Sequence, residues 1–227
     1  MWIVLFVVLL DIVGFGIIVP IFPFFAESMG AKPEMVMVYI ALYMAAAFVS
    51  APVMGRMSDR YGRKPVMVVS LCGAIVGYAL LATATSLWMV ALARIVSGLM
   101  AGNFSAAQAY IVDKTTADNR AKFMGLFGAA MALGYVIGPA IGTVLAGDSF
   151  EHASIVKPAL FAGGLCVLAL IAVLILVKES RVLTQVDHQS KPAKPSMLAS
   201  LRAISGQTVL IQVITCALLY NLAGGLY

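Results

Sequence analysis

The sequence predicts an all-α, polytopic membrane protein, and three observations carry that expectation. The first is composition: the 227 residues are 62% hydrophobic and only 11% charged, where a soluble domain is about half apolar and a quarter charged. The second is length: apolar runs follow one another along the chain, each able to cross a hydrocarbon core of ~30 Å at ~1.5 Å per helical residue. The third is the placement of the basic residues. Arg56, Arg60, Arg63, Lys64, Lys114, Arg120, Lys122, Lys178, Arg181, Lys191, Lys194 and Arg202 fall between runs on one side of the implied topology. Lys32 and Lys157 alone fall on the other. Twelve against two is a strong positive-inside bias, which puts the N-terminus and the richer side in the cytoplasm.

The first span is read from about Trp2 to Phe25, its outer end kinked by Pro20 and Pro23. It has no basic leading region and no polar cleavage site, so it is expected to stay as a helix and not to be removed as a signal peptide. The second span is Met35 to Met54. A basic loop, Gly55 to Pro65, then precedes the third, Val66 to Thr83. The fourth is Leu87 to Val112, with Trp88 at the headgroup level. A charged loop, Asp113 to Lys122, leads to the fifth, Phe123 to Ala146. The sixth is Pro158 to Val177. Residues 1–177 thus form a six-helix bundle, and 178–206 a cytoplasmic linker in which Ser196 to Ile204 could lie along the membrane surface. Residues 207–227 begin a seventh helix.

Several function classes are excluded. The net charge of +5 sits in loops between apolar runs, which argues against nucleic acid as a partner. Cys72, Cys166 and Cys216 all lie inside apolar runs and read as small buried hydrophobes. His152 and His188 are in loops, and the spans contain no catalytic triad or metal-ligand spacing. An enzyme is not expected, nor a cofactor, nor a metal.

Two charges lie deep in spans, Asp11 and Arg94. Each costs at least ~2.5–3.5 kcal/mol there when alone. Asp11 stands ~14 Å in from one side and Arg94 ~10 Å from the other, so their depths differ by only ~6 Å. One reading is a midplane cavity in which Asp11 exchanges a proton beside Arg94. The other is a static ion pair that fixes packing. Helical spacing extends Arg94 to Ser97, Ala101, Ser105 and Gln108 on one face, and Asp11 to Gly14, Phe15, Ile18, Phe22 and Phe25 on another. A carboxylate among aromatics suits an amphipathic or cationic organic ligand. On the fifth span Gly134-x-x-x-Gly138-Pro139-x-x-Gly142 permits close helix contact and a bend.

Together these stretches resemble the major facilitator superfamily, in its twelve-helix drug:H⁺ antiporter branch. Gly55-x-x-x-Asp59-Arg60-x-Gly62-Arg63-Lys64 matches the superfamily's loop motif between helices 2 and 3, and Arg94-x-x-x-Gly98 the helix 4 motif. The glycine–proline stretch of the fifth span matches the antiporter motif of helix 5, with Thr143 where a further glycine is usual. Asp11-x-x-Gly14-x-Gly16-x-x-x-Pro20 is similar to helix 1 of that branch. Ala109 to Asp113 resembles the end of helix 4, and Lys178-Glu179-Ser180 the end of helix 6. Within the branch the tetracycline/H⁺ antiporters look most alike. This sequence departs from them at Val76-Gly77-Tyr78, where they carry an acidic residue, and at Ala47, where they carry glutamine.

The resemblance implies proton-coupled efflux of a small organic compound across the inner (plasma) membrane by alternating access. It implies a proton-coupling pair, Asp11 and Arg94. It also implies a substrate cavity using Phe15, Phe22, Ser97, Ser105 and Gln108, with Gln212 and Asn221 of helix 7. A cytoplasmic gate would form from the loop motif with Asp113 and Glu179. The partners implied are protons, a small-molecule substrate, the bilayer and a missing C-terminal half of the same transporter. Uptake or facilitated transport of a metabolite on the same fold, or a non-transporting scaffold, are the alternatives.

Overall fold

The computed structural model describes residues 1–146 and 155–180. The helices are α1 (Trp2–Ile18), α2 (Phe22–Ser28), α3 (Pro33–Tyr61), α4 (Arg63–Ala82), α5 (Leu87–Leu99), α6 (Asn103–Lys114), α7 (Ala117–Ala146) and α8 (Val156–Leu176). With α1–α2 and α5–α6 each read as one broken crossing, six stretches are long and apolar enough to span a membrane. The compact unit to which they belong runs Met1–Val182. Helix 7 and the segment from Ser196 lie outside the described residues.

Two apolar clusters fill the bundle, one at each end. Val4, Val7 and Val8 of α1 meet Met67, Leu71, Ile111 and Val173 in one; Ile17 and Ile18 meet Phe22, Leu81, Ala162 and Cys166 in the other. Asp11 falls between them along α1. Outside, the usual burial rule is inverted. Phe48, Trp88 and Val144 are more than four-fifths exposed, as expected of helices whose solvent is lipid.

The seam between α1 and α7 is set by glycine. A Cβ on Gly138 would lie 2.7 Å from the Gly16 Cα and 2.8 Å from the Val13 carbonyl oxygen, so only hydrogen fits and the two backbones touch. Gly134 and Gly142 face Ile12 and Ile17 of the same helix. Thus the glycines of the fifth crossing bind it to the helix that carries Asp11. α7 runs on through Pro139 as a single helix.

Two expectations about loops are corrected. The stretch from Gly55 to Pro65 is not a loop: α3 continues to Tyr61, α4 starts at Arg63, and Gly62 alone lies between them. The stretch from Asp113 to Lys122 likewise reduces to Thr115 and Thr116 between α6 and α7. Hydropathy marks the part of a helix that sits in hydrocarbon, whereas Arg, Lys and Met sustain a helix well beyond it. Gly62 has φ +104° and ψ 168°, a region open essentially to glycine alone.

Candidate functional site

A cavity of about 420 Å³ opens in the middle of the bundle. α1 contributes Asp11, Phe15 and Ile18; α3 contributes Tyr43 and Ala47; α4 contributes Ser70 and Tyr78; α5 contributes Arg94 and Ser97. The break at Met100–Gly102 adds Ala101 and turns Asn103 and Phe104 of α6 inward, and Tyr135 comes from α7.

Asp11 and Arg94 share this cavity but form no ion pair with each other among the described residues. The Asp11 Oδ2 accepts a hydrogen bond from the Asn103 Nδ2 at 2.9 Å, and its Oδ1 lies 3.9 Å from the Cys166 Sγ of α8. The Arg94 guanidinium lies over the Phe22 ring at 4.6 Å and the Tyr43 ring at 5.9 Å, a cation–π arrangement worth ~2 kcal/mol when desolvated. Arg94 is 8% exposed and its Nε has no hydrogen-bond partner.

The faces drawn by helical spacing are only partly kept. Phe15 and Ser97 line the cavity; Phe22, Ser105 and Gln108 do not. Phe22 follows the break between α1 and α2 and is buried against Arg94. Counting from Arg94 along one continuous helix puts Ser105 and Gln108 on its face. The break resets the angle, so that Asn103 and Phe104 occupy the inner face and the Ser105 Oγ bonds the Gly102 carbonyl. Asn103, Ser70, Tyr43, Tyr78 and Tyr135 escape that count. Asn103 had a signal, an amide beside a glycine within an apolar run. Gln212 and Asn221 lie outside the described residues. Gly77, where this sequence departs from the tetracycline group, packs against the Ser97 side chain, whose hydroxyl a Cβ there would displace.

At the end of the bundle marked by Gly62, charges are densely partnered. The Arg63 Nε donates to the Asp113 Oδ2 at 2.8 Å. Its Nη1 donates to the Asp59 Oδ1 at 2.9 Å and to the Ser58 Oγ at 3.0 Å. The Arg63 side chain is only 12% exposed, while those of Asp59 and Asp113 are 47% and 30% exposed, so solvent still screens each pair. Glu179, expected at the edge of the group, accepts with both oxygens from the first two backbone amides of α4. The distances are 2.9 Å from Arg63 N and 3.0 Å from Lys64 N. A carboxylate there satisfies orphan amides and the positive end of the helix dipole. The Lys64 Nζ returns to the Leu174 carbonyl of α8 at 2.8 Å. Arg60 is exposed beside the Tyr61 ring, and Gly55 faces open space.

A bundle of six crossings with an ionisable cavity at mid-depth and a charged clasp at one end has the form of a membrane transport protein. The chain belongs to the Major Facilitator Superfamily, whose sequence model matches residues 4–227. The class C tetracycline resistance protein of Escherichia coli is 33% identical over 226 residues, covering 98% of this chain and 55% of that protein. The class B protein of the same organism is 36% identical over 182 residues, covering 79% and 44%. The crystal structure of the human organic anion transporter MFSD10 superposes with a TM-score of 0.68 at 25% identity, over 80% of this chain and 47% of that one. The chain spans about half the length of the curated relatives it matches. It is therefore a multi-pass membrane protein of a transporter family, not of an enzyme family.

Proposed function

We propose that this chain forms the first half of a proton-coupled exporter of small organic compounds, working by alternating access in the inner membrane. The N-terminus and residues 178–206 lie in the cytoplasm in this reading. The observation that carries it is that Asp11 and Arg94 share a mid-depth cavity without neutralising each other. Ionisable groups kept inside a bilayer at such cost are retained for transport or proton movement. Asp11 is the group that takes a proton while the cavity faces outward and gives it up inward. Asn103 and Cys166 hold its carboxyl toward α6 and α8. The Arg63 cluster latches the cytoplasmic end when the cavity faces out, and a second six-helix half completes the cavity wall. Similarity to tetracycline resistance proteins supports efflux, while Gly77 and Ala47 leave the compound open.

The test uses inside-out vesicles containing the full-length transporter, with an imposed pH gradient followed by a fluorescent amine. Tetracycline is the first probe, followed by other planar aromatic drugs. Export by antiport is expected to dissipate part of the gradient when a transported compound is added. Movement of a labelled compound that leaves the gradient untouched would replace antiport by facilitated transport.

A further inference from the structure

The Asn103 amide is used at one end only. Its Nδ2 donates to the Asp11 Oδ2 at 2.9 Å, while its Oδ1 is buried and has no hydrogen-bond partner among the described residues. Asn103 is 3% exposed and opens α6 directly after the break at Met100–Gly102. Bulk water therefore does not satisfy that oxygen, and a buried carbonyl left unmatched is both costly and rare. The side chain that meets Asp11 thus carries a donor in use and an acceptor in reserve. The two exchange places by a half-turn about the Cβ–Cγ bond, which is a soft torsion.

An ionised carboxylate only accepts, and the Asn103 Nδ2 meets that need. A protonated carboxyl must also donate. On its other side Asp11 has the Cys166 Sγ, 3.9 Å from Oδ1, and sulfur is a weak acceptor. The titratable or charged groups near Asp11 on the neighbouring helices are Tyr43 of α3, Tyr78 of α4, Arg94 of α5, Tyr135 of α7 and Cys166 of α8. All are of types that titrate above neutral pH. Among the described residues only Asn103 and Cys166 hydrogen-bond to the carboxyl, so Asn103 is the neighbour equipped to answer a change at Asp11. On the efflux reading, in which Asp11 takes the coupled proton, we infer that Asn103 is the positioning residue of that step and reverses its amide as the proton arrives. In the ionised state Nδ2 donates to Oδ2. When a proton binds Oδ2, the amide turns by about 180° and its own oxygen accepts from the new hydroxyl; release of the proton turns it back. The oxygen and the NH₂ group are close in size, so the turn fits the same space and asks for no backbone motion. α1 and the fourth crossing stay joined in both protonation states, and the acceptor now without a partner is the one the proton requires.

Infrared difference spectra between high and low pH test this in the full-length transporter, reconstituted in liposomes and produced with asparagine isotopically labelled in its side-chain carbonyl. Lowering the pH is expected to raise a protonated-carboxyl band that is missing from Asp11→Asn. With the same pH midpoint, a labelled amide carbonyl band is expected to move to lower frequency as that carbonyl gains a hydrogen bond. Asn103→Gln keeps an amide but removes the label from this position, and is expected to lose the second band alone. Asn103→Leu, which has neither donor nor acceptor, is expected to lose it too. Should neither variant insert, the unsubstituted protein and Asp11→Asn still decide, because the amide band must share the midpoint of the Asp11 band and vanish with it. A carboxyl band with no shifted amide band, or an amide band that persists in Asn103→Gln, would overturn the inference and leave the efflux reading standing. Absence of any carboxyl band that depends on Asp11 would remove the proton from Asp11 and the inference with it.

Discussion

The Arg63 cluster and the mid-depth cavity are opposite solutions for charge in a membrane protein. At the cluster Arg63 meets two carboxylates and a hydroxyl, and Glu179 closes the amides that start α4. In the cavity three buried polar side chains keep an atom unpaired, and its acid and base do not join. A saturated network holds one geometry, because every change of position breaks a bond. An unsaturated one costs stability and resists no change of position by hydrogen bonding. The difference separates the cluster from the cavity without reference to motif.

The largest effect should come from the seam that holds α1 in place. Gly138→Ala would put a methyl group 2.7 Å from the Gly16 Cα, forcing two backbones apart at ~1–3 kcal/mol. Thermal unfolding in detergent is expected to shift down clearly, and transport to fall at least tenfold because Asp11 moves with its helix. Unaltered stability would mean that the α1–α7 contact is looser than described.

The cluster comes next. Lysine cannot serve Asp59 and Asp113 from two nitrogens as Arg63 does. Losing one charge-assisted bond to a partly exposed carboxylate at ~1 kcal/mol amounts to roughly fivefold in a closed–open equilibrium. Arg63→Lys is therefore expected to insert normally, since lysine serves the positive-inside rule equally well, yet lose most transport; Asp113→Asn should do the same. Near-normal transport by both would reduce the cluster to a topology signal.

The smallest effect sharpens the contrast. The Ser70 Oγ is buried and unpaired, so Ser70→Ala removes an atom whose desolvation is uncompensated. Stability should stay level or rise by ~0.5–1 kcal/mol in an unfolding titration. A loss comparable with that of Arg63→Lys would show that the Ser70 hydroxyl supports the fold as firmly as the clasp does.

Much of this was readable from the sequence because the bilayer simplifies the problem. Apolar length gave the six crossings, and the cost of charge in hydrocarbon singled out Asp11 and Arg94. Small residues four apart on the fifth crossing pointed to a close contact, which proved to be with α1. Periodicity does not show the break at Met100–Gly102, because counting by 3.6 assumes an unbroken helix; such a count passes over Asn103 and takes in Ser105 and Gln108. The capping of α4 by Glu179 could not be read locally, since 116 residues separate it from Arg63. The helical character of the basic stretch was hidden because hydropathy reports the solvent and not the backbone.

The central claim is that Asp11 carries the coupled proton in a cavity otherwise built for substrate. The direct measurement compares two modes of transport in Asp11→Asn: net movement driven by an imposed pH gradient, and exchange of labelled for unlabelled compound with no gradient. Asparagine keeps the size and the place beside Asn103 and removes the titration. The expected result is loss of gradient-driven movement at least tenfold, with exchange largely preserved. Gradient-driven movement at the normal rate, or loss of both modes in a protein that inserts and unfolds like the unsubstituted one, would contradict the claim.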